Sequence, residues 1–117
     1  MGDVRTLNPS FQPFVNAFLK VARNAGLEVT ITSTFRDPKQ QAALYAEFVD
    51  ARRRGIPHLP AAPPGHSMHE RGFAFDIHVE PPSALPLLGQ MWERWGFVWG
   101  GRFNDPIHFD ARPFHRR

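Results

Sequence analysis

The sequence predicts a single α+β domain over residues 1–117, a small antiparallel sheet flanked by helices. Two β-branched or aromatic runs alternate with period two, which is the pattern of strands with one face buried. Three other segments repeat their apolar residues at helical spacing. No internal repeat or linker divides the 117 residues, a length that suits one core.

The elements follow in order. Asn8 and Pro9 suit the start of a helix, since Asn can cap and Pro tolerates the first turn. Phe11, Phe14, Val15, Phe18, Leu19 and Ala22 then share a face, and Gly26 closes the helix. Residues 29–35 read as a strand with Val29, Ile31 and Phe35 on one face and Thr30, Thr32, Thr34 and Arg36 on the other. Asp37 and Pro38 start a second helix through Ala42, Leu44, Tyr45 and Phe48 to about Arg54. Gly55, Pro57, Pro60, Pro63, Pro64 and Gly65 make 55–66 a loop. Residues 73–79 form a second strand, with Phe73, Phe75, Ile77 and Val79 opposite Ala74, Asp76 and His78. A helix from about Ser83 to Trp95 follows, interrupted near its start by Pro86, and residues 97–99 and 107–109 close the sheet as short strands.

Composition narrows the chemistry. Cysteine is absent, which excludes disulfides and thiolate metal sites and leaves any ligation to His and carboxylates. Net charge is +3, but the arginines are scattered among eleven acids. Arg52–Arg54 and Arg116–Arg117 read as a solvated helix end and a tail, so nucleic acid is not an expected partner. The first residues lack the apolar stretch of an export signal, and no apolar run reaches membrane-spanning length. The expectation is a monomer with no membrane partner and no mark for export. Trp92, Trp95 and Trp99 are expected in the core, with Trp99 able to line a cleft.

Strand parity sets the candidate site. Asp76 lies on the face opposite four apolar side chains, and a carboxylate there needs partners. His69 lies seven residues earlier, across Gly72, where a turn can swing it back. His108 and Asp110 share one face of the last strand, opposite Ile107 and Phe109. Two imidazoles and one carboxylate match the ligand set of a catalytic zinc, which keeps a fourth position open. Asp105, three residues before His108, is placed to act as a base without ligating the metal. His78 is expected to face solvent, His66 is an additional imidazole beside the ligands, and His58 and His115 are given no role.

Read together, these residues form known motifs. The segment from Ser67 to Asp76 resembles the S-x-H-x-x-G-x-A-x-D signature of the D-Ala-D-Ala carboxypeptidase (VanY-type) and L-alanyl-D-glutamate peptidase family, whose fold is shared with hedgehog domains. Trp99-Gly100-Gly101 followed by Asp105-Pro106-Ile107-His108-Phe109 is similar to its W-G-G and D-x-x-H-F segments, and Ser33–Asp37 with Gln41 resembles its S-G-Y-R-S stretch and following glutamine. The resemblance spans about Val29 to Asp110. It implies Zn2+ held by His69, Asp76 and His108, Asp105 as general base, Arg36 on the substrate carbonyl or developing oxyanion, and Ser67 and Gln41 in the substrate cleft. Thr34 and Asp37 depart from the pattern, and Asp37 is positioned to pair with Arg36 and weaken it.

The expected function is therefore zinc-dependent hydrolysis of peptidoglycan stem peptides. Aspartate in the D-x-x-H position and the W-G-G segment favour an L-alanyl-D-glutamate endopeptidase, of the kind found in phage endolysins. A D-Ala-D-Ala carboxypeptidase is the alternative, and a catalytically weak, zinc-containing binding module is a second class of reading.

Overall fold

The computed structural model describes residues 2–112; His115, Arg116 and Arg117 lie outside them. Helix α1 (Gln12–Asn24) begins a turn later than Asn8–Pro9 suggests. The Asn8 side chain instead accepts from the backbone N–H and hydroxyl of Ser10, closing a turn ahead of the helix. Val15, Phe18, Leu19 and Ala22 form its buried face, and Gly26 at φ +88° ends it.

Strand β1 (Glu28–Ser33) pairs antiparallel with β2 (Ala74–Glu80). Ile31 faces Ile77, but Ser33 faces Asp76, so β1 carries one extra residue. This bulge reverses the expected parity: Thr34 is buried and Phe35 is exposed. The Thr34 hydroxyl bonds Thr6 Oγ1 at 2.8 Å and accepts from the Asp3 N–H at 3.0 Å, which ties the end of β1 to the N-terminal segment.

Helix α2 (Pro38–Arg53) starts on an Asp37–Gln40 capping box. Asp37 therefore satisfies the helix N-terminus, and the expected Asp37–Arg36 pair does not form. Helix α3 (Leu85–Arg94) follows a short 3-10 turn, and β3 (Val98–Trp99) and β4 (His108–Asp110) complete a sheet ordered β1-β2-β4-β3. All neighbours are antiparallel.

One face of the sheet is closed by aromatic packing. Phe11 and Phe18 of the α1 region meet Phe75, Trp92 and Phe109, with ring centroids 5.0–6.2 Å apart. Trp92 also donates its indole N–H to the Asp110 carbonyl at 3.0 Å, which fixes β4. Trp99 packs against this core and donates to the Pro106 carbonyl at 2.8 Å; Trp95 is only partly covered. The other face of β2 and β4 looks onto the cleft. Gly100 permits this closure, because a Cβ there would run into the Asp105 carbonyl and His108 Cβ.

Candidate metal centre

A cleft of about 700 Å³ opens above the polar face of β2 and β4, walled on the far side by α2 and the proline-rich loop 55–66. His69, Asp76, His108, Asp105, Arg36, Ser67 and Gln41 all line it. The site residues expected from sequence are thus brought to one cavity. Trp99 does not line it, and His78 is exposed on the outer part of β2, paired with Glu80 at 2.9 Å.

His69 and His108 each have one ring nitrogen hydrogen-bonded and the other turned toward Asp76. His69 sits in a 3-10 turn, Met68–Arg71, whose N-terminus is capped by Ser67, with the Ser67 hydroxyl accepting from the His69 N–H at 3.2 Å. Its ring Nδ1 donates to the Thr34 carbonyl at 2.7 Å, while the Arg36 N–H donates back to the His69 carbonyl at 3.2 Å. That reciprocal pair pins His69 to the end of β1 and turns Nε2 toward Asp76. Gly72, at φ +76°, supplies the left-handed turn that carries the chain from His69 into β2. His108 is opposite Asp76 in the β2–β4 register. Its Nε2 donates to Asp110 Oδ2 at 2.8 Å, leaving Nδ1 toward Asp76.

His69 Nε2 and His108 Nδ1 lie 3.3 and 3.4 Å from Asp76 Oδ1. Tetrahedral ligands about 2.1 Å from a zinc ion would be spaced about 3.4 Å apart. All three ligand atoms lie within 4.8 Å of one another, and all three residues are buried. Asp76 Oδ1 is buried without a hydrogen-bond partner among the described residues, whereas Oδ2 accepts from Arg36 at 3.0 Å. A buried carboxylate oxygen without a hydrogen bond, close to two imidazole nitrogens, is costly alone and is satisfied by a cation. The donor set therefore fits a divalent metal such as zinc.

Electrostatics agree with the geometry. Burial by itself would raise the Asp76 carboxyl, but His108 and His69 outweigh it and hold the group well below the usual carboxylate range. Burial would likewise lower His108, yet the Asp110 hydrogen bond and the charge of Asp76 push it up to about 9. Asp105 moves upward, chiefly because it is partly buried.

Two features were missed in the sequence reading. Asp110 is fully buried and orients His108, while Arg112 pairs with it at 2.9 Å. A carboxylate behind a ligand imidazole fixes its tautomer and orientation; the shared strand face of His108 and Asp110 was the available signal. Gln41 is also more constrained than expected. Buried at 1% exposure, it donates to the Ala62 carbonyl at 2.8 Å and accepts from Arg36 at 3.3 Å.

The sequence model of the VanY family, described as D-alanyl-D-alanine carboxypeptidase, matches residues 5–101. Asp105 and His108 lie past that segment and join the cleft through the fold. No curated protein sequence matches this chain. Among solved structures, VanYB in complex with D-alanine-D-alanine is similar at TM-score 0.74 and 20% identity, over 90% of this chain and 71% of that one. A Zn(II) complex of a variant of the vancomycin resistance D,D-pentapeptidase VanY, from a VanB-type resistance cassette, gives 0.73 and 20%, over 90% and 72%. An L,D-carboxypeptidase, DacB from Streptococcus pneumonia, gives 0.68 and 23%, over 90% and 66%. At these identities the structural likeness establishes the fold.

Proposed function

The chain belongs to the VanY D-alanyl-D-alanine carboxypeptidase family, peptidases acting on peptidoglycan, and from that premise we propose that it is a zinc-dependent hydrolase of stem-peptide bonds. The observation that carries this reading is the buried His69–Asp76–His108 cluster, with its unsatisfied Asp76 oxygen at the floor of the cleft.

Zinc would be held by His69 Nε2, Asp76 Oδ1 and His108 Nδ1, where it supplies Lewis acidity that polarises a carbonyl and eases deprotonation of water. Asp105 takes the proton of the attacking water and returns it to the leaving amine nitrogen. Its upward shift raises its affinity for that proton and suits the role. Arg36 faces negative charge developing on the carbonyl oxygen. Asp76 Oδ2 and Gln41 Oε1 hold its guanidinium in place, so little reorganisation is needed when that charge appears. Ser67 acts through the His69 turn that it caps. Gln41 acts as a brace between Arg36 and the loop wall rather than as a direct substrate contact.

The bond cleaved follows one of two readings. The family description supports removal of a terminal D-alanine. Aspartate at position 105, with Trp99-Gly100-Gly101, supports cleavage between L-alanine and D-glutamate. Digestion of purified muropeptides by the zinc-loaded protein, followed by mass analysis, should yield one of these products. Asp105→Asn should keep its zinc and lose about 10²–10⁴-fold in turnover. Zinc-loaded protein that cleaves neither bond yet binds the peptides would instead make the chain a binding module.

A further inference from the structure

Three guanidiniums line the cleft, those of Arg36, Arg71 and Arg112, against two carboxylates, Asp76 and Asp105. Arg36 is paired with Asp76 at 3.0 Å, and Arg112 with Asp110 at 2.9 Å. The Arg112 guanidinium also lies over the Phe103 ring, 5.5 Å from its centroid. Arg71 has no acidic partner among the described residues. Its sequence neighbour Glu70 does not neutralise it, because that carboxylate accepts the backbone N–H groups of Gly65 and Ser67 at 2.9–3.3 Å.

Arg71 ends the same 3-10 turn that presents His69. Its backbone is fixed there by Gly72, whose carbonyl accepts from the Asn8 N–H at 3.0 Å. The side chain is exposed, lines the cavity, and is available to a ligand. Resting on the peptidase reading above, we propose that Arg71 is a carboxylate-binding subsite that fixes the substrate beside the candidate metal centre.

The physical case is one of complementarity. A guanidinium offers a planar fork of donors that a carboxylate can accept in two parallel hydrogen bonds. In open water such a pair contributes little, but a peptide laid in the cleft removes solvent from both groups and strengthens the contact. A stem peptide with lysine at its third position, the probe used below, carries two carboxyls of this kind, the C-terminal one and the free one of the D-glutamyl residue. Arg71 would bind one of them, and its identity would set which bond lies over the ligand cluster.

The test measures equilibrium binding to zinc-loaded Asp105→Asn protein, with Arg71 intact or changed to Gln or Lys. Three stem pentapeptides are the probes: both carboxyls free, the C-terminal carboxyl amidated, or the D-glutamyl carboxyl amidated. With Arg71 present, one amidation should weaken binding by roughly ten- to a hundredfold, the range for a hydrogen bond to a charged group. Arg71→Gln should bind the free and amidated forms equally, and Arg71→Lys should restore part of the discrimination. Zinc content and melting temperature should match the parent, since the side chain is exposed and has no acidic partner among the described residues. Equal affinity for all three probes with Arg71 intact, discrimination unchanged in Arg71→Gln, or no binding at all overturns the assignment. Turnover of the free pentapeptide by the unsubstituted chain reports separately on the peptidase reading.

Discussion

Strands β2 and β4 build two opposite environments from adjacent residue pairs. Phe75 and Phe109 stack 5.4 Å apart on the core side, while the next pair in register, Asp76 and His108, faces the cleft. The core face is complete as folded, because Phe75 and Phe109 are fully buried among Phe18 and Trp92. The cleft face keeps a buried carboxylate oxygen with no hydrogen-bond partner among the described residues. Stability on the first face comes from area removed from water and from packing. On the second, the donor set fits a cation, which would satisfy that oxygen. The two faces should therefore respond differently to metal.

Truncating the core face should have the largest effect. Phe109→Ala is expected to lose about 3–5 kcal/mol, measured by urea unfolding, and by similar amounts with and without zinc. A loss confined to the zinc-loaded form would erase the distinction between the faces. Next, His69→Ala should abolish stoichiometric zinc binding, while destabilising the metal-free protein well short of the Phe109→Ala loss. Elemental analysis and the same unfolding curves check both halves of that statement.

A smaller change is expected one shell out. Asp110→Asn removes the charge behind His108 and should weaken zinc by about 10–100-fold, read by competition with a chromophoric chelator. Unchanged affinity would make Asp110 a purely structural partner of Arg112.

The mildest test is pH. His108 is raised to about 9 in the metal-free protein, against an ordinary value near 6.5. Its stabilising contribution is therefore fully present below about pH 6.5 and is lost as pH rises through 9. Zinc needs the neutral ring, so binding within that window should release about one proton, and affinity should climb about tenfold per pH unit. Calorimetric titrations in buffers of different ionisation enthalpy count the proton; a count of zero would contradict the assigned His108 environment.

Much of the site was legible because strand parity is a local property. The alternation in 73–79 and the grouping of His108 with Asp110 placed Asp76 and His108 away from the apolar face before any pairing was known. Asp37 was misread as a partner of Arg36, although Pro38 and Gln40 after it carry the helix-capping pattern that the fold uses. The bulge in β1 was not legible, because residues 29–35 alternate without interruption. Its position follows from pairing with β2, forty-odd residues away. Thr34 shows the consequence: its side chain turns inward, and its backbone carbonyl becomes the acceptor that orients His69.

By itself the sequence determined the α+β class, the order of its elements, and the His and Asp residues able to meet on one polar face. Hydrophobic period and residue chemistry are carried by neighbours along the chain. Tertiary structure alone decided which imidazole nitrogen turns toward Asp76, that Asp110 is buried behind His108, that Gln41 braces Arg36 against Ala62, and that Arg71 lines the cleft without an acidic partner among the described residues. The His69–Thr34 and Gln41–Ala62 contacts join segments remote in sequence. The His108–Asp110 contact spans two residues and is sealed by the burial of Asp110 in the folded sheet. Side-chain order along a chain encodes neither such distances nor such burial.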